Sequence, residues 1–425
     1  MEREGSLKEP LVIKFGGTSV GDGAAFVRAA KIAADAARER PVAVVVSAMG
    51  GTTDTLLGYS EATAKMAAEG AAKGTDRTAT GATREGSISE LHRTMAERHL
   101  KAAREAVSEE YLPKVEERLL SRLGELTEAI SAPANEPDAR RAEVAVYGER
   151  LSAEILAGAI SSAGAPASVV AGDPIATDSG FAEAEVDVGE TRERCTRYVR
   201  PLLDEQVVAV VPGYGGRSPD GRQTTLGRGG SDLSATIIGR GIDSGEVWIM
   251  SDVDGVLDAD PRLVPDAALL PRLSYREARV FAELGAKILH HRTMEPVADA
   301  GIEVFVRNTF NPDSPGTRVT AIEEGTGVRC IALRRNMAVE VPCTSGHRNE
   351  AAVVVCIGSP ENADAKMGRK LLKEAGISVL HFGRATAGLV FMVPEREAEK
   401  ALRILHDALV TVPEAEVVVG AGEVA

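Results

Sequence analysis

Apolar residues along the chain first fall into short, uninterrupted runs. LVIKF at 11–15 and VAVVVS at 42–47 are bounded by turn residues, the mark of strands buried on both faces. Between them GGTSVGDG reads as a turn, and 24–38 repeats small apolar residues at helical spacing, so the chain opens as a βαβ unit. Strands are predicted again at 167–171, 207–212, 246–251 and 303–307, alternating with helices at 150–163, 231–241, 274–286 and 292–300. Such alternation predicts a three-layer α/β/α sandwich around a mainly parallel sheet, with ligands in the loops beyond the carboxyl ends of the strands.

The pattern changes twice. Residues 69–86 (EGAAKGTDRTATGATREG) are small and polar and read as a surface loop, after which helical periodicity runs from about 88 to 130 with a break near Pro113. A second loop is expected at SAPANEPDA, and a short strand before Tyr147. The stretch from about 60 to 140 is therefore expected to be a helical insertion outside the sheet. After Gly316, strands at 352–357, 377–381, 386–392 and 415–420 alternate with helices at 361–375 and 394–409. That βαββαβ order is a ferredoxin-like α+β plan, with 326–350 as a partial strand and connector.

Composition narrows the partners. Among 425 residues, 49 Lys and Arg face 63 Asp and Glu, a net charge of −14, which argues against nucleic acid and anionic membranes. The four cysteines form no CxxC pair, so neither a zinc site nor a disulfide framework is expected, and a reducing cytoplasm fits. No apolar run is long enough for a membrane span and no apolar leader opens the chain, so neither export nor membrane insertion is expected.

Candidate chemistry lies in glycine-rich loops that follow the predicted strands. Lys14-Phe15-Gly16-Gly17-Thr18-Ser19 offers backbone amides to an anion, a lysine for transferring phosphate oxygens and the Thr18 and Ser19 hydroxyls as further donors, although a Ser/Thr-capped turn uses the same residues. Val211-Pro212-Gly213-Tyr214-Gly215-Gly216 is a second loop, and Thr224 to Asp232 a third, whose GRGGSD opens a helix with Arg228 able to fork onto a carboxylate or phosphate. Ser231 also suits a helix cap and Asp232 a first-turn charge. The run from Ser251 to Arg262 carries four aspartates. Its glycine stands in the wrong place for a calcium loop, leaving nucleotide contact or turn formation. Glu149, in the first turn of a helix, either complements the helix dipole or binds a substrate ammonium.

In this order, KFGGTSV, SAMGGTTD, YGERLSA, TTLGRGGSDLSA, SDVDGV with DPR, GAKILH and VRNTF closely resemble the aspartate kinases of the amino acid kinase family, over residues 11–320. The C-terminal segment resembles the ACT regulatory domains that follow in that family. The resemblance implies a catalytic domain over 1–325 and an ACT-like region over 326–425, with one complete unit at about 350–422. It implies ATP-dependent phosphorylation of the L-aspartate β-carboxylate to 4-phospho-L-aspartate with Mg²⁺, the entry to lysine, threonine and methionine synthesis. Lys14, Asp232 and Lys287 then stand at catalytic positions. Thr53, Glu149, Arg228 and Ser231 stand at aspartate-binding positions, and Lys14, Gly16, Gly17, Gly215, Ser251, Asp252, Arg262 and Lys287 at nucleotide-binding ones. No protein metal ligand is implied.

The chemistry agrees with the resemblance, because in-line phosphoryl transfer to a carboxylate needs positioning and charge neutralisation rather than a strong base. Departures from the family pattern are Met250-Ser251 for Trp-Thr, Leu257 for a tyrosine, His291 for a proline, and Tyr147 and Tyr214 for phenylalanines. Since only one ACT unit is complete, the C-terminal region is expected to serve a homodimer or higher homo-oligomer, with lysine or threonine as a weak or absent effector. Competing readings are a kinase for glutamate, N-acetylglutamate, carbamate or an aspartate analogue, and a catalytically silent amino-acid sensor.

Overall fold

The computed structural model describes residues 8–73, 77–132, 136–284, 291–322, 326–338, 350–386 and 388–410. Chain order begins with β1 (Leu11–Phe15), α1 (Gly23–Ala37) and β2 (Val42–Val46). Four helices follow: α2 (Thr52–Lys73), α3 (Arg77–Ala106), α4 (Leu112–Ser131) and α5 (Pro137–Ala145). Then come α6 (Tyr147–Ser162), β3 (Ala167–Val169), α7 (Val188–Tyr198), α8 (Arg200–Asp204) and β4 (Val208–Pro212). A hairpin, β5 (Gly215–Arg217) and β6 (Gln223–Thr225), leads to α9 (Gly230–Gly241) and β7 (Glu246–Ser251). Next are β8 (Arg272–Ser274), α10 (Tyr275–Glu283), α11 (Met294–Ala300) and β9 (Glu303–Asn308). The remainder is β10 (Thr317–Thr320), β11 (Gly327–Ala338), β12 (Glu350–Ser359), α12 (Asn362–Glu374), β13 (His381–Ala385), β14 (Gly388–Pro394) and α13 (Ala398–Leu409).

Two compact units result, Met1–Val253 with Arg292–Ser314, and Asp254–His291 with Pro315–Ala425. In the first, six parallel strands lie in the order β3-β4-β2-β1-β7-β9. β1 and β2 are wholly buried because helices cover both faces. Leu11, Ile13, Phe15, Val42, Val44 and Val46 join one core cluster with α1 and α6. On the other face α9 packs against β1, β2 and β7, with α7 and α11 beside it. Strand period two thus sends Lys14 to the α9 face while its neighbours fill the α1 face.

The second unit holds an antiparallel sheet in the order β11-β12-β14-β13, with α12 and α13 supplying Ala365, Leu372, Leu402 and Leu405 to its core. It also holds α10 and the parallel pair β8 and β10. This is the α+β arrangement expected of an ACT-like region. The strand expected at 415–420 lies outside the described residues.

Several expectations fail locally. The loop expected at 69–86 is helical on both sides of residues 74–76, which lie outside the described residues. Its glycines each cost a helix only about 1 kcal/mol, and its many alanines favour one. The strand expected before Tyr147 is the end of helix α5. The strand placed at 377–381 starts at His381 instead, because Gly376 at φ +74° ends α12 and buried Ile377 is spent anchoring the turn. Among the described residues no helix is long and apolar enough to cross a membrane.

Candidate active site

A cleft of about 770 Å³ opens at the carboxyl ends of β1, β2 and β4 and is lined by Lys14, Thr53, Glu149, Arg228, Ser231 and Asp232 among others. Lys14 reaches it from the α9 face of β1, and Asp232 from the first turn of α9, so that Lys14 Nζ sits 2.5 Å from Asp232 Oδ1. Both side chains are largely buried, with 11% and 16% of their surface exposed, so water screens this pair less than it would at the surface.

α9 begins without a side-chain cap. Gly229 precedes it at φ +69°, Gly230 N–H donates back to Gly227 O at 3.0 Å, and Ser231 and Asp232 of the first turn line the cleft, an anion site by geometry and dipole. The left-handed backbone at Gly227 and Gly229 leaves Arg228 between them exposed, with no ion pair to a described residue. Arg292 holds this loop from behind, donating to Leu226 O at 3.1 Å and to Ala184 O at 3.3 Å. Tyr214 adopts φ +69°, a strained backbone for a bulky residue. Its N–H donates to Ser234 Oγ at 2.9 Å, which in turn donates to Gly230 O, so the second glycine loop is tied to the start of α9.

Glu149 is the most unusual charge in the cleft. The first turn of α6 carries it, it is 4% exposed, and its Oε2 has no hydrogen-bond partner among the described residues. Burial pushes its carboxyl up to about 8, with the backbone N–H groups of Glu149 and Ala48 only partly opposing the shift. A buried carboxylate with an open oxygen is a receptor for a cation.

Other expected residues gather at the same edge of the sheet but do not line this cleft. Gly16 and Gly17 turn the chain out of β1, and Gly16 N–H donates to Met250 O of β7 at 3.3 Å, which sets Ser251 and Asp252 on the adjoining strand end. Ser251 Oγ donates to Asp252 Oδ1 at 3.2 Å. Gly215 opens the β5–β6 hairpin, where a Cβ would come within 2.8 Å of Gln223 Nε2, so close packing alone calls for glycine there. Ser19, read as a phosphate donor, is fully buried and bonded to Thr309 Oγ1 at 2.7 Å.

The aspartate-rich segment after Val253 belongs to the second unit. Arg262 there is exposed and paired with Asp260 at 2.6 Å. Asp258 is buried and accepts from Ala268 N–H, a turn-forming role. Lys287 lies outside the described residues.

A family model for amino acid kinases matches residues 9–308. The chain belongs to the amino acid kinase family. The chloroplastic aspartokinase 2 of Arabidopsis thaliana is 33% identical to it over 344 residues, 80% of this chain and 60% of that protein. The aspartokinase of Chlamydia trachomatis is 31% identical over 335 residues, 78% of this chain and 70% of that one. Escherichia coli aspartokinase III, solved in complex with lysine and aspartate, is similar with a TM-score of 0.77 and 25% identity, covering 95% of this chain and 100% of that one. The chain spans 60% of the length of the Arabidopsis relative and 41% of another curated relative it matches.

Sequence reasoning missed one whole wall of this amino acid kinase cleft. Asp54 and Leu57 of α2 and Asp138 and Arg141 of α5 line it, so the helical insertion expected outside the sheet contributes residues to the site through α5. Arg141 is ion-paired with Glu61, which ties α5 to α2. Phe181 and Glu183 complete the lip. Only Asp54 falls in a motif, SAMGGTTD, and the convergence of the others depends on helix packing that no local pattern encodes.

Proposed function

We propose that the chain transfers the γ-phosphoryl group of ATP to the β-carboxylate of L-aspartate, giving 4-phospho-L-aspartate and ADP, the first step towards lysine, threonine and methionine. The observation that carries this reading is Glu149, a buried carboxylate whose Oε2 has no partner among the described residues, in the same cleft as Arg228, which makes no ion pair to a described residue, and the uncapped start of α9. That set suits a free amino acid with a second carboxylate: Glu149 takes the α-ammonium, and Arg228 with Ser231 and Thr53 takes a carboxylate. N-acetylated substrates lack the ammonium. The Escherichia coli relative, solved with lysine and aspartate, supports the same choice.

In the transfer, an aspartate β-carboxylate oxygen attacks the γ-phosphorus, the bond to the bridging oxygen of ADP breaks, and ADP leaves with that electron pair. The carboxylate is already ionised at neutral pH, so no residue has to remove a proton. Lys14 and the amides of Gly17 and the start of α9 neutralise charge on the phosphoryl oxygens, with Gly16 letting the chain turn beneath them. Asp232 orients the Lys14 ammonium through their 2.5 Å contact. The glycine turn after β1 suits close approach of a phosphate, since a Cβ at Gly17 would lie 2.9 Å from Ala48 O and the turn has no room for a side chain there. Ser251 and Asp252 lie beside it on β7 and are assigned to the nucleotide, with Arg262 and Lys287 as further candidates. Gly215 is assigned to closing the loop beneath.

Mg²⁺ would arrive on the ATP phosphates and supply charge neutralisation there. It needs one or two carboxylates and water rather than a protein cage, so Asp232 and Asp252 suffice as neighbours. The same reading includes a homo-oligomer built through the ACT-like region, and lysine or threonine as the effectors to be tried.

ADP release measured with L-aspartate, L-glutamate and N-acetyl-L-glutamate tests the assignment, with hydroxylamine trapping the acyl phosphate as a hydroxamate. Turnover and hydroxamate with aspartate alone are expected. Preference for either other acid would replace aspartate as the substrate, and no turnover with any of them would favour the sensor reading.

A further inference from the structure

The turn after β2 touches three parts of the site at once. Gly50 N–H donates to Gly17 O at 3.2 Å, and a Cβ on Gly17 would lie 2.9 Å from Ala48 O, so this turn is packed against the phosphate-side turn. A Cβ on Gly148 would lie 2.6 Å from Ala48 Cβ, so the start of α6, with Glu149, rests on the same segment. At its far end Thr53 lines the cleft. The turn itself belongs to no strand or helix at Gly50, and Gly51 takes φ +78°.

What holds it comes from the helical insertion. Arg98, half-buried on α3, donates from Nη2 to Gly50 O at 2.8 Å and from Nη1 to Thr52 Oγ1 at 3.3 Å. Thr52 is fully buried, so the guanidinium joins one buried side chain to one carbonyl of the turn. A planar fork suits that two-point hold, and an ammonium does not.

We propose that Arg98 is a positioning residue for the amino-acid substrate, its fork fixing the 50–53 turn so that Thr53 and the Ala48–Glu149 contact keep the geometry that aspartate needs. The inference rests on the proposed aspartate kinase activity. Arg98 does not line the cleft, so it acts only through the turn. Loss of the fork frees the Gly50 carbonyl to hydrate and loosens Thr53, while Lys14 and Asp232, on other elements, stay in place.

Steady-state kinetics of wild type, R98A and R98K test this. For R98A, KM for aspartate is expected to rise roughly tenfold, with kcat and KM for ATP within threefold of wild type. R98K is expected between the two. Guanidinium ion at tens of millimolar should lower the R98A KM severalfold and leave wild type unchanged, a response that a merely structural role would not give. If R98A does not fold, R98K carries the same comparison. An aspartate KM within twofold of wild type in R98A, or a raised KM that guanidinium does not lower, overturns the role of Arg98 alone. Absence of aspartate turnover in wild type overturns the activity and this inference with it.

Discussion

Replacing Glu149 by glutamine isolates the cost of burying an ionisable carboxyl in the cleft. The carboxyl titrates near 8 in the fold against 4.5 ordinarily, and each unit is worth about 1.4 kcal/mol, so the ionised form costs the fold up to roughly 5 kcal/mol. A folded pKa above the unfolded one means that the folded state holds the proton more tightly. The stability this gives is fully present below pH 4.5 and is lost as pH rises through about 8. By this arithmetic the loss is about 3 kcal/mol at pH 7. Glutamine cannot ionise, so E149Q escapes the loss, and any packing penalty of the amide is the same at every pH. The difference in stability between E149Q and wild type should therefore grow by about 4 kcal/mol between pH 5 and pH 8.5, in favour of the variant. Denaturant unfolding of both proteins at several pH values, without substrate, measures it. Parallel curves would refute the buried, uncompensated carboxylate.

The same residue predicts a linkage to substrate, since an ammonium binds only the ionised form. Aspartate affinity of wild type should fall about tenfold per pH unit below 8, and E149Q should lose affinity at pH 8 by about tenfold or more. A flat profile would separate Glu149 from the ammonium.

Three further outcomes are expected. K14A should lose about a thousandfold in kcat while keeping its circular dichroism, and near-normal turnover would remove Lys14 from the transfer. R228A should raise KM for aspartate by about ten- to a hundredfold with less effect on kcat, and an unchanged KM would leave the substrate carboxylate without its partner. Burial lifts the thiols of Cys195 and Cys356 to about 12 and raises that of Cys330 as well, so all three should resist alkylation in native protein at pH 8 and react on unfolding. Rapid native labelling at any of them, read by peptide mass, would contradict the packing of that region.

What could be read from the chain was whatever a single strand and its following turn encode. The apolar run at 11–15 and the glycines beyond it sufficed to place Lys14 at the ligand edge, because a parallel sheet places every such turn on the same side. Glu149, in contrast, follows helix α5, and Arg228 and Asp232 follow the β5–β6 hairpin, so their motifs named the residues without the elements that carry them there. What escaped depends on pairing distant segments. Arg98 lies in a helix whose sequence reads as an exposed, charged stretch, and only the α3 packing brings its guanidinium to Gly50. Ser19 shows the reverse error. It sits in the most telling motif of the chain, yet its hydroxyl is taken by Thr309, 290 residues away, and no local pattern announces that.

The same distinction bears on charge. A chain of net −14 repels the anions it is proposed to bind, so binding has to draw on charge concentrated in the cleft. Lys14 is already matched by Asp232, and Arg228 is the cation there with no described ion-pair partner. Held neutral at pH 7 by its burial, Glu149 adds little repulsion to an approaching dicarboxylate and becomes a full negative charge only once an ammonium is there to meet it. A carboxylate of ordinary pKa in its place would be charged throughout and would oppose the approach. The raised pKa and the acidic surface are therefore compatible for one physical reason: the site expresses its negative charge only towards a ligand that brings the opposite one.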